Sequence, residues 1–303
     1  MRVVAGFCAR TGAALDGACG SLGRSEQALA CRLILRRAVG ACLYVGDRNF
    51  GIFRIVQTAR AVGSHVLLRL TESRARKLLG RSLRLGSHNF LWSPTRHDQL
   101  QPGRPKTPLQ GRLMVVRVHR PGYRSQTLHL FTILTDGAQY PVDERVQLYG
   151  WRWHIELNLR YLKTQMRLVQ LECKSAQMAQ KEWLAGLMAY NLIRAAMRQG
   201  LCPLRLSFSL SRRHLQSWLA LWGRGAGQAS SWSKLLALIG RSLLPRRKKA
   251  RPAEPRAQRH LRQPYPPLIG SRQKARQQMK TAEFSTASSC SVPSSCALPA
   301  CAN

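Results

Sequence analysis

The first 70 residues alternate between short apolar runs and stretches in which apolar residues recur at helical spacing. Two strand-like runs, 2–9 and 13–20, flank a turn with the sequence RTG, so they predict a hairpin at the start of the chain. The elements predicted after the hairpin are a helix, a strand, a helix and a strand, at 25–40, 41–47, 51–62 and 65–70. This order of elements predicts a mixed α/β sheet.

The pattern changes after residue 70. Strand-like runs at 112–120 and 127–134 lie among Gly, Pro and Ser, which predicts a β-rich insertion. Residues 141–199 have helical spacing, and residues 205–244 have it more weakly. We divide the chain into five segments. The α/β core begins with an N-terminal part (1–70), followed by a β-rich insertion (71–135) and a helical part of the core (136–200). A basic C-terminal region (201–280) and a Ser-, Ala- and Cys-rich tail (281–303) follow, and the tail is predicted to be disordered.

The charge of the chain narrows the choice of partners. It carries 49 Lys and Arg against 13 Asp and Glu, a net charge of +36, which favours a polyanionic partner such as nucleic acid. Charge also leaves open an RNA-associated basic protein and an anionic membrane surface. Helices that bind a membrane surface keep their cations opposite one broad apolar face, whereas Arg occurs here in every segment of the core.

No run of residues is long and apolar enough to predict a membrane span, and the N-terminus lacks the pattern of a signal peptide. We therefore expect a cytoplasmic protein without a membrane partner. The nine cysteines form no CxxC pair, so they predict buried thiols rather than a zinc site.

A rare carboxylate, Glu156, lies in a cationic stretch with helical spacing, residues 145–167. At about 100° per residue, Glu156 shares a helix face about 60° wide with three other polar residues. These are Tyr149, Arg152 and Lys163, and the face is extended by Arg160 and Arg167. The adjacent stripe is apolar and predicts packing on a core; it consists of Trp151, Ile155, Leu159, Leu162 and Met166.

Two interpretations of Glu156 remain open at this point. On a solvated face, the carboxylate pairs with Arg152 and Arg160 at i±4, which is worth a few tenths of a kcal/mol. In a functional site, it binds a divalent cation while Tyr, Arg and Lys side chains around it bind phosphates.

The spacing of Tyr149, Arg152, Glu156 and Lys163 resembles the Y-R-E-K signature of DDE transposases from bacterial insertion sequences. The segment GDRNFG at 46–51 is similar to the one that carries the second catalytic aspartate of this family. Further segments that resemble the family lie at 172–197, 204–209 and 254–268, so the resemblance covers about residues 2–280.

The resemblance implies an RNase H-like fold in which three carboxylates hold two divalent ions, Mg²⁺ with Mn²⁺ as a substitute. Asp47 and Glu156 would be two of the catalytic metal ligands. The DNA-binding residues would be Tyr149, Arg152, Arg160, Lys163 and Arg167. The implied function is DNA cleavage and strand transfer at transposon ends, by a homodimer in a synaptic complex on double-stranded DNA, at the bacterial nucleoid. Without the family, Asp47 is equally explained as the cap of the helix that follows it.

The resemblance does not extend to the first strand of the fold, which carries the first catalytic aspartate. The chain opens on what resembles the second strand. The only acids that precede Asp47 in the sequence are Asp16 and Glu26. Asp16 falls on the third strand and is the alternative ligand, whereas Glu26 caps or pairs at the start of a helix. We therefore expect an N-terminally truncated transposase that is inactive as encoded. The alternative function is a catalytically dead DNA-binding remnant.

Overall fold

The structure is a computed structural model that describes residues 1–36, 41–80, 83–100, 107–119, 126–168, 170–200, 205–224 and 231–244, with a few positions between 271 and 291. The strands are β1 Arg2–Phe7, β2 Ala14–Gly20, β3 Leu43–Gly46, β4 His65–Arg69, β5 Gly86–Trp92, β6 Leu109–His119, β7 Gln126–Thr132 and β8 Cys290–Ser291. The α-helices are α1 Glu26–Arg36, α2 Phe53–Ala61, α3 Glu72–Leu79, α4 Arg96–Gln99, α5 Val142–Gly150, α6 Trp153–Arg160, α7 Ala176–Gly200, α8 Phe208–Gly223 and α9 Ser231–Arg241. A π-helical turn, Tyr161–Gln165, follows α6 directly.

The larger sheet is mixed, and its strands lie in the order β3-β4-β7-β6-β5. β3 and β4 are parallel, which brings their carboxyl ends to the same edge of the sheet, and the other pairs along this path are antiparallel. Helices α1 and α2 supply buried residues to the core on one face, and α5 covers the other. The predicted mixed α/β sheet is confirmed.

The strands predicted in the β-rich insertion are present as β6 and β7. β7 pairs with β4, so these strands extend the core sheet. The insertion also contains α3, which the sequence pattern did not predict. This helix begins where the Thr71 side chain accepts a hydrogen bond from the backbone of Arg74, and it ends at Gly80 in the left-handed conformation.

The predicted hairpin, β1 and β2, forms a separate two-stranded sheet. One of its faces packs under α1, where Val4 joins the same apolar clusters as Tyr44 of β3. Its other face packs against α7, through Val3, Ala5 and Phe7. The hairpin and the larger sheet thus share α1 as a cover, yet β1 and β3 do not pair with each other.

Helices α7, α8 and α9 form a second apolar core with the hairpin. The Asn191 side chain of α7 accepts a hydrogen bond from the backbone N–H of Ala14 and donates one to its carbonyl, at 2.8 and 2.7 Å. The hydroxyl of Tyr190 donates to the carbonyl of Gly12 at 2.7 Å. These bonds fix the hairpin to the helix that also supports the Glu156 segment.

The prediction of continuous helix over 141–199 is wrong in two places. α5 ends at Gly150, and α6 begins only at Trp153. After the π turn, residues 166–175 have no helical structure among the positions that are described. α8 and α9 confirm the helices predicted over 205–244.

The predicted basic region and disordered tail lie largely outside the described residues, beyond 244. Within the tail, Cys290–Ser291 form β8, which pairs in parallel with Val118–His119 of β6. Among the helices that the structure describes, none has the length and apolarity needed to cross a bilayer.

Candidate nucleic-acid interface

Asp47 follows β3 directly and shapes the loop after it. Its Oδ1 accepts a hydrogen bond from the backbone of Asn49 at 2.9 Å, and its carbonyl accepts one from the backbone of Phe50 at 3.1 Å. α2 begins only at Phe53, with Ile52 as its N-cap. Asp47 therefore makes an Asx turn, and the alternative that it caps the next helix is wrong. Its Oδ2 makes no hydrogen bond or ion pair within the described part of the chain.

Contacts at both ends fix the shape of this loop. The Asn49 amide donates to Glu26 at the start of α1 at 2.7 Å and accepts from Gln27 at 2.8 Å. A Cβ on Gly51 would lie 2.6 Å from the carbonyl oxygen of Arg69, so only glycine allows this close approach. Glu26 thus begins a helix, as predicted, and its carboxylate is used to hold the Asp47 loop.

The position of Tyr149 differs from the prediction. It was expected on an exposed phosphate-binding face, but its side chain is 6% exposed and packs on the sheet beside Leu67 and Met114. Its hydroxyl is buried and makes no hydrogen bond of good geometry among the described residues, although the Arg152 side chain interacts with it closely enough to lower its pKa. α5 presents Tyr149 to the sheet rather than to solvent because Val146, one turn earlier, is buried in the same cluster.

The pKa of Tyr149 shows which charges surround its hydroxyl. Burial raises this pKa, the guanidinium groups of Arg152 and Arg69 lower it, and the carboxylate of Asp47 raises it further. The hydroxyl therefore lies within electrostatic reach of one carboxylate and two cations. Asp47, Tyr149 and Arg152 were predicted site residues, and the fold brings them together.

Arg69 is a residue of this site that the sequence analysis missed. It is the last residue of β4, whose carboxyl end lies beside that of β3 and hence beside Asp47. The signal was a single cation at the end of the apolar run HVLLRL. Its meaning depends on which strands are neighbours, and this is a property of the fold.

Arg152 and Glu156 form an ion pair with an N···O distance of 2.8 Å. Arg152 is the more buried partner, with its side chain 20% exposed against 45% for Glu156. Its guanidinium lies 5.8 Å from the ring centroid of Tyr149 and 5.7 Å from that of Trp153. The pairing of Glu156 with Arg152 is confirmed, whereas no ion pair of Glu156 with Arg160 is present in the part of the chain that the structure describes. A pair this exposed contributes little stability.

The remaining predicted DNA-binding residues, Arg160, Lys163 and Arg167, are all exposed. Lys163 lies in the π turn, where the N–H of Met166 bonds to the carbonyl of Tyr161 at 2.9 Å. Arg167 lies beyond this turn in the left-handed conformation, with a φ of 58°. The expectation that it extends one continuous helix face is therefore wrong, because the helix ends before it. π turns of this kind are common at functional sites.

A buried arginine, Arg194 of α7, holds α6 in place. Its side chain donates hydrogen bonds to the Tyr190 hydroxyl at 2.9 Å and to the side-chain carbonyl of Asn158. Its guanidinium lies 5.5 Å from three ring centroids; these belong to Tyr161, Tyr190 and Phe208. Asn158 is buried and lies only two residues after Glu156, so this network sets the position of the Glu156 helix.

The acidic residues that could complete a metal site do not lie together in the described part of the structure. Asp16 lies on the separate hairpin, where it accepts from its neighbour Gly17 at 2.6 Å and pairs with Arg36 at 3.4 Å. No group of three or more His, Cys, Asp or Glu suited to a metal ion occurs in the described residues. Asp47 and Glu156 offer two carboxylates, so the residues that the structure describes do not fit a complete two-ion cluster.

The profile of the transposase DDE domain family matches residues 1–192 of the 303. This chain belongs to the DDE transposases. It is also 32% identical over 160 residues to the transposase InsG for insertion sequence element IS4 of Escherichia coli (strain K12). That match covers 49% of this chain and 36% of InsG, so the chain spans about a third of the length of this relative.

Membership of the DDE transposase family confirms the predicted RNase H-like fold for the mixed sheet. It also implies that proteins of this kind bind DNA and depend on a divalent metal ion. The roles of Asp47, Glu156 and the cationic residues around them remain predictions.

Replacing Asn158 with Ala should destabilise this DDE transposase by about 1–3 kcal/mol, because a buried donor of Arg194 loses its acceptor. Urea unfolding measures the difference. The matched control is Arg198→Ala, on the exposed face of α7 one turn after Arg194, with an expected change below about 0.5 kcal/mol. Equal effects of the two substitutions would show that the Arg194 network does not support α6.

Proposed function

We propose that the protein acts in DNA transposition, through metal-dependent DNA cleavage and strand transfer at the ends of an insertion sequence. The observation that carries this proposal is the convergence of Asp47 and Arg69, at neighbouring strand ends, on the buried hydroxyl of Tyr149 beside Arg152. Such a combination of cations, an available hydroxyl and a carboxylate suits a DNA phosphate. The substrates are double-stranded transposon ends and target DNA at the bacterial nucleoid, and bringing two ends together requires a homodimer in a synaptic complex.

Different side chains of the site make different contacts with DNA phosphates. Arg69, Arg152 and Lys163 neutralise phosphates, and the buried hydroxyl of Tyr149 donates a hydrogen bond to a phosphate oxygen. Arg152 also pairs with Glu156, so the carboxylate and a phosphate compete for the same guanidinium. When a phosphate takes Arg152, both carboxylate oxygens of Glu156 become available to a cation.

The metal implied for this function is Mg²⁺, with Mn²⁺ as a substitute, and it would act as a Lewis acid at the phosphate. Asp47 and Glu156 would hold the ion through their carboxylates. A complete two-ion site needs a third carboxylate, which the described residues do not bring to this place. No step of the reaction is therefore assigned to the metal.

DNA affinity should fall steeply with salt concentration because binding depends on the release of counterions from phosphates. We expect a slope of log K against log salt steeper than about −4, which corresponds to five or more neutralised phosphates. Fluorescence anisotropy with a labelled duplex measures this slope. An affinity that stays constant between about 50 and 200 mM salt would rule out electrostatic binding of DNA.

Arg152→Ala and Lys163→Ala should each weaken DNA binding, because each removes a phosphate contact. Glu156→Gln should leave affinity unchanged or raise it, because it releases Arg152 and removes a negative charge. The same anisotropy assay compares the variants. Glu144→Gln is the matched control, since it breaks an exposed ion pair with Arg145 at 3.0 Å on the preceding helix. If Glu156→Gln unfolds the protein while the two cation variants bind normally, this face is only structural.

A catalytically silent DNA-binding protein is the second candidate function, and it is favoured by the incomplete carboxylate set among the residues that the structure describes. We expect residues 1–303 to bind transposon-end DNA without cleaving it in Mg²⁺ or Mn²⁺, as followed on a labelled duplex. Robust cleavage that is abolished by Asp16→Asn would instead assign Asp16 as the missing ligand. This assay separates the two functions because DNA binding and DNA cleavage are measured in the same samples.

A further inference from the structure

The long helix α7 has an exposed face that carries no charge. Between residues 184 and 195 the helix exposes six side chains, and all six are apolar; these are Leu184, Ala185, Met188, Ala189, Leu192 and Ala195. The one charged residue in this stretch, Arg194, is buried and donates hydrogen bonds to Tyr190 and Asn158. Lys and Arg make up 49 of the 303 residues of the chain, so a neutral exposed face about 17 Å long is unusual for it.

This neutral face is distinct from the side of α7 that packs in the second apolar core. The packed side is buried through residues such as Trp183 and Tyr190. On the neutral face, by contrast, Leu184, Met188 and Leu192 are 41, 74 and 50% exposed. A helix that is apolar on both sides is typical of one that is covered on both sides.

The side chains of the neutral face form two neighbouring rows along the helix. Leu184, Met188 and Leu192 are spaced four residues apart, so they form a ridge of large side chains. Ala185 and Ala189 form the next row, and their small side chains leave a groove beside the ridge. Helices whose i±4 ridges fit into each other's grooves cross at about 50°. Because ridge and groove lie on one face, a second copy of α7 has the complementary shape.

The charges around the neutral face also favour a second copy. Met188 lies midway between Leu184 and Leu192, so a twofold axis at Met188 places Leu184 of each copy beside Leu192 of the other. Lys181 lies seven residues before Met188, and Ala195 lies seven residues after it. The cation of one copy therefore faces a neutral residue of the other. Two chains that each carry a net charge of +36 repel each other least over such a face.

We propose that the neutral face of α7 is the surface on which a second copy of this chain docks, helix against helix across a twofold axis at Met188. A membrane surface or a nucleic acid would require exposed cations on this face, and residues 184–195 expose none. The inference does not depend on DNA binding, because it rests on the shape and charge of α7.

The size of the neutral face predicts a weak dimer. A specific interface of standard size uses about 20–30 residues on each side, whereas this face exposes six apolar side chains. Two copies that are bound to one DNA molecule would associate more strongly, because the DNA raises their effective concentration.

The test measures self-association of the full chain without DNA. Sedimentation velocity over about 1 to 100 µM protein is run in about 0.5 M salt, which screens the repulsion between the cationic copies. We expect the average mass to rise from that of a monomer towards that of a dimer. Met188→Lys should raise the dissociation constant at least about tenfold, because it brings two like charges together on the axis. The matched control is Gln216→Lys, which adds the same charge at an exposed position of α8 and should leave the dissociation constant unchanged.

A disulfide cross-link locates the twofold axis. Met188→Cys brings two thiols within bonding distance only if position 188 of one copy lies against position 188 of the other. Under mild oxidation this variant should give several-fold more covalent dimer than the unmodified chain, whose nine native cysteines set the background. Gln216→Cys should not exceed that background.

The inference is overturned if the chain stays monomeric over the whole concentration range or if Met188→Lys and Gln216→Lys act alike. It is also overturned if Met188→Cys forms no more covalent dimer than the unmodified chain. DNA binding by the unmodified chain is measured separately at low salt. A chain that binds DNA without self-association overturns this inference alone, and a chain that self-associates without binding DNA overturns the proposed function alone.

Discussion

The parallel pairing of β3 with β4 is the constraint on which the rest of the site depends. The register Gly46↔Leu68 brings the end of each strand to one edge of the sheet, so Asp47 and Arg69 become neighbours although 22 positions separate them in the sequence. Tyr149 then packs on the same part of the sheet, beside Leu67 of β4, and the charges of Asp47 and Arg69 both act on the pKa of its hydroxyl. A different strand order would leave the same residues on the molecule without placing them together.

The scarcity of acids gives the position of Asp47 particular meaning. Four of the described carboxylates form ion pairs with arginines; these are Asp16, Glu72, Glu144 and Glu156. Asp47 has no such pair within the described residues, in a chain that carries 49 Lys and Arg. Its loop is instead held by neutral hydrogen bonds and by the Asn49–Glu26 contact, so one carboxylate oxygen remains open. Such an oxygen is suited to a cation that the chain itself does not provide.

Local features were predictable from the sequence. The strands and helices of the first 70 residues follow from apolar spacing, and the Glu156–Arg152 pair follows from a separation of four on a helix. Features set by tertiary contacts were not predictable. Arg69 was missed because the sequence pattern does not show which strands are neighbours in the sheet. Tyr149 was expected on the exposed face of its helix, whereas its ring packs on the sheet. The end of the helix after Gln165 was missed because tertiary contacts hold this segment, namely those of Asn158 and Tyr161 with Arg194.

The π turn at Tyr161–Gln165 has a consequence for how this chain tolerates insertions and deletions. A π turn holds one residue more than the α-helical turn that it replaces, and it does so without moving the anchored residues on either side. Loss of a single residue from this turn would therefore restore α-helical winding and leave the segments before and after it in place. Loss of a residue from the regular helix between Glu156 and Arg160 would instead rotate everything after it by about 100°, and Lys163 would turn away from the side on which Glu156 lies. The π turn thus absorbs a change of length that the α-helix before it does not.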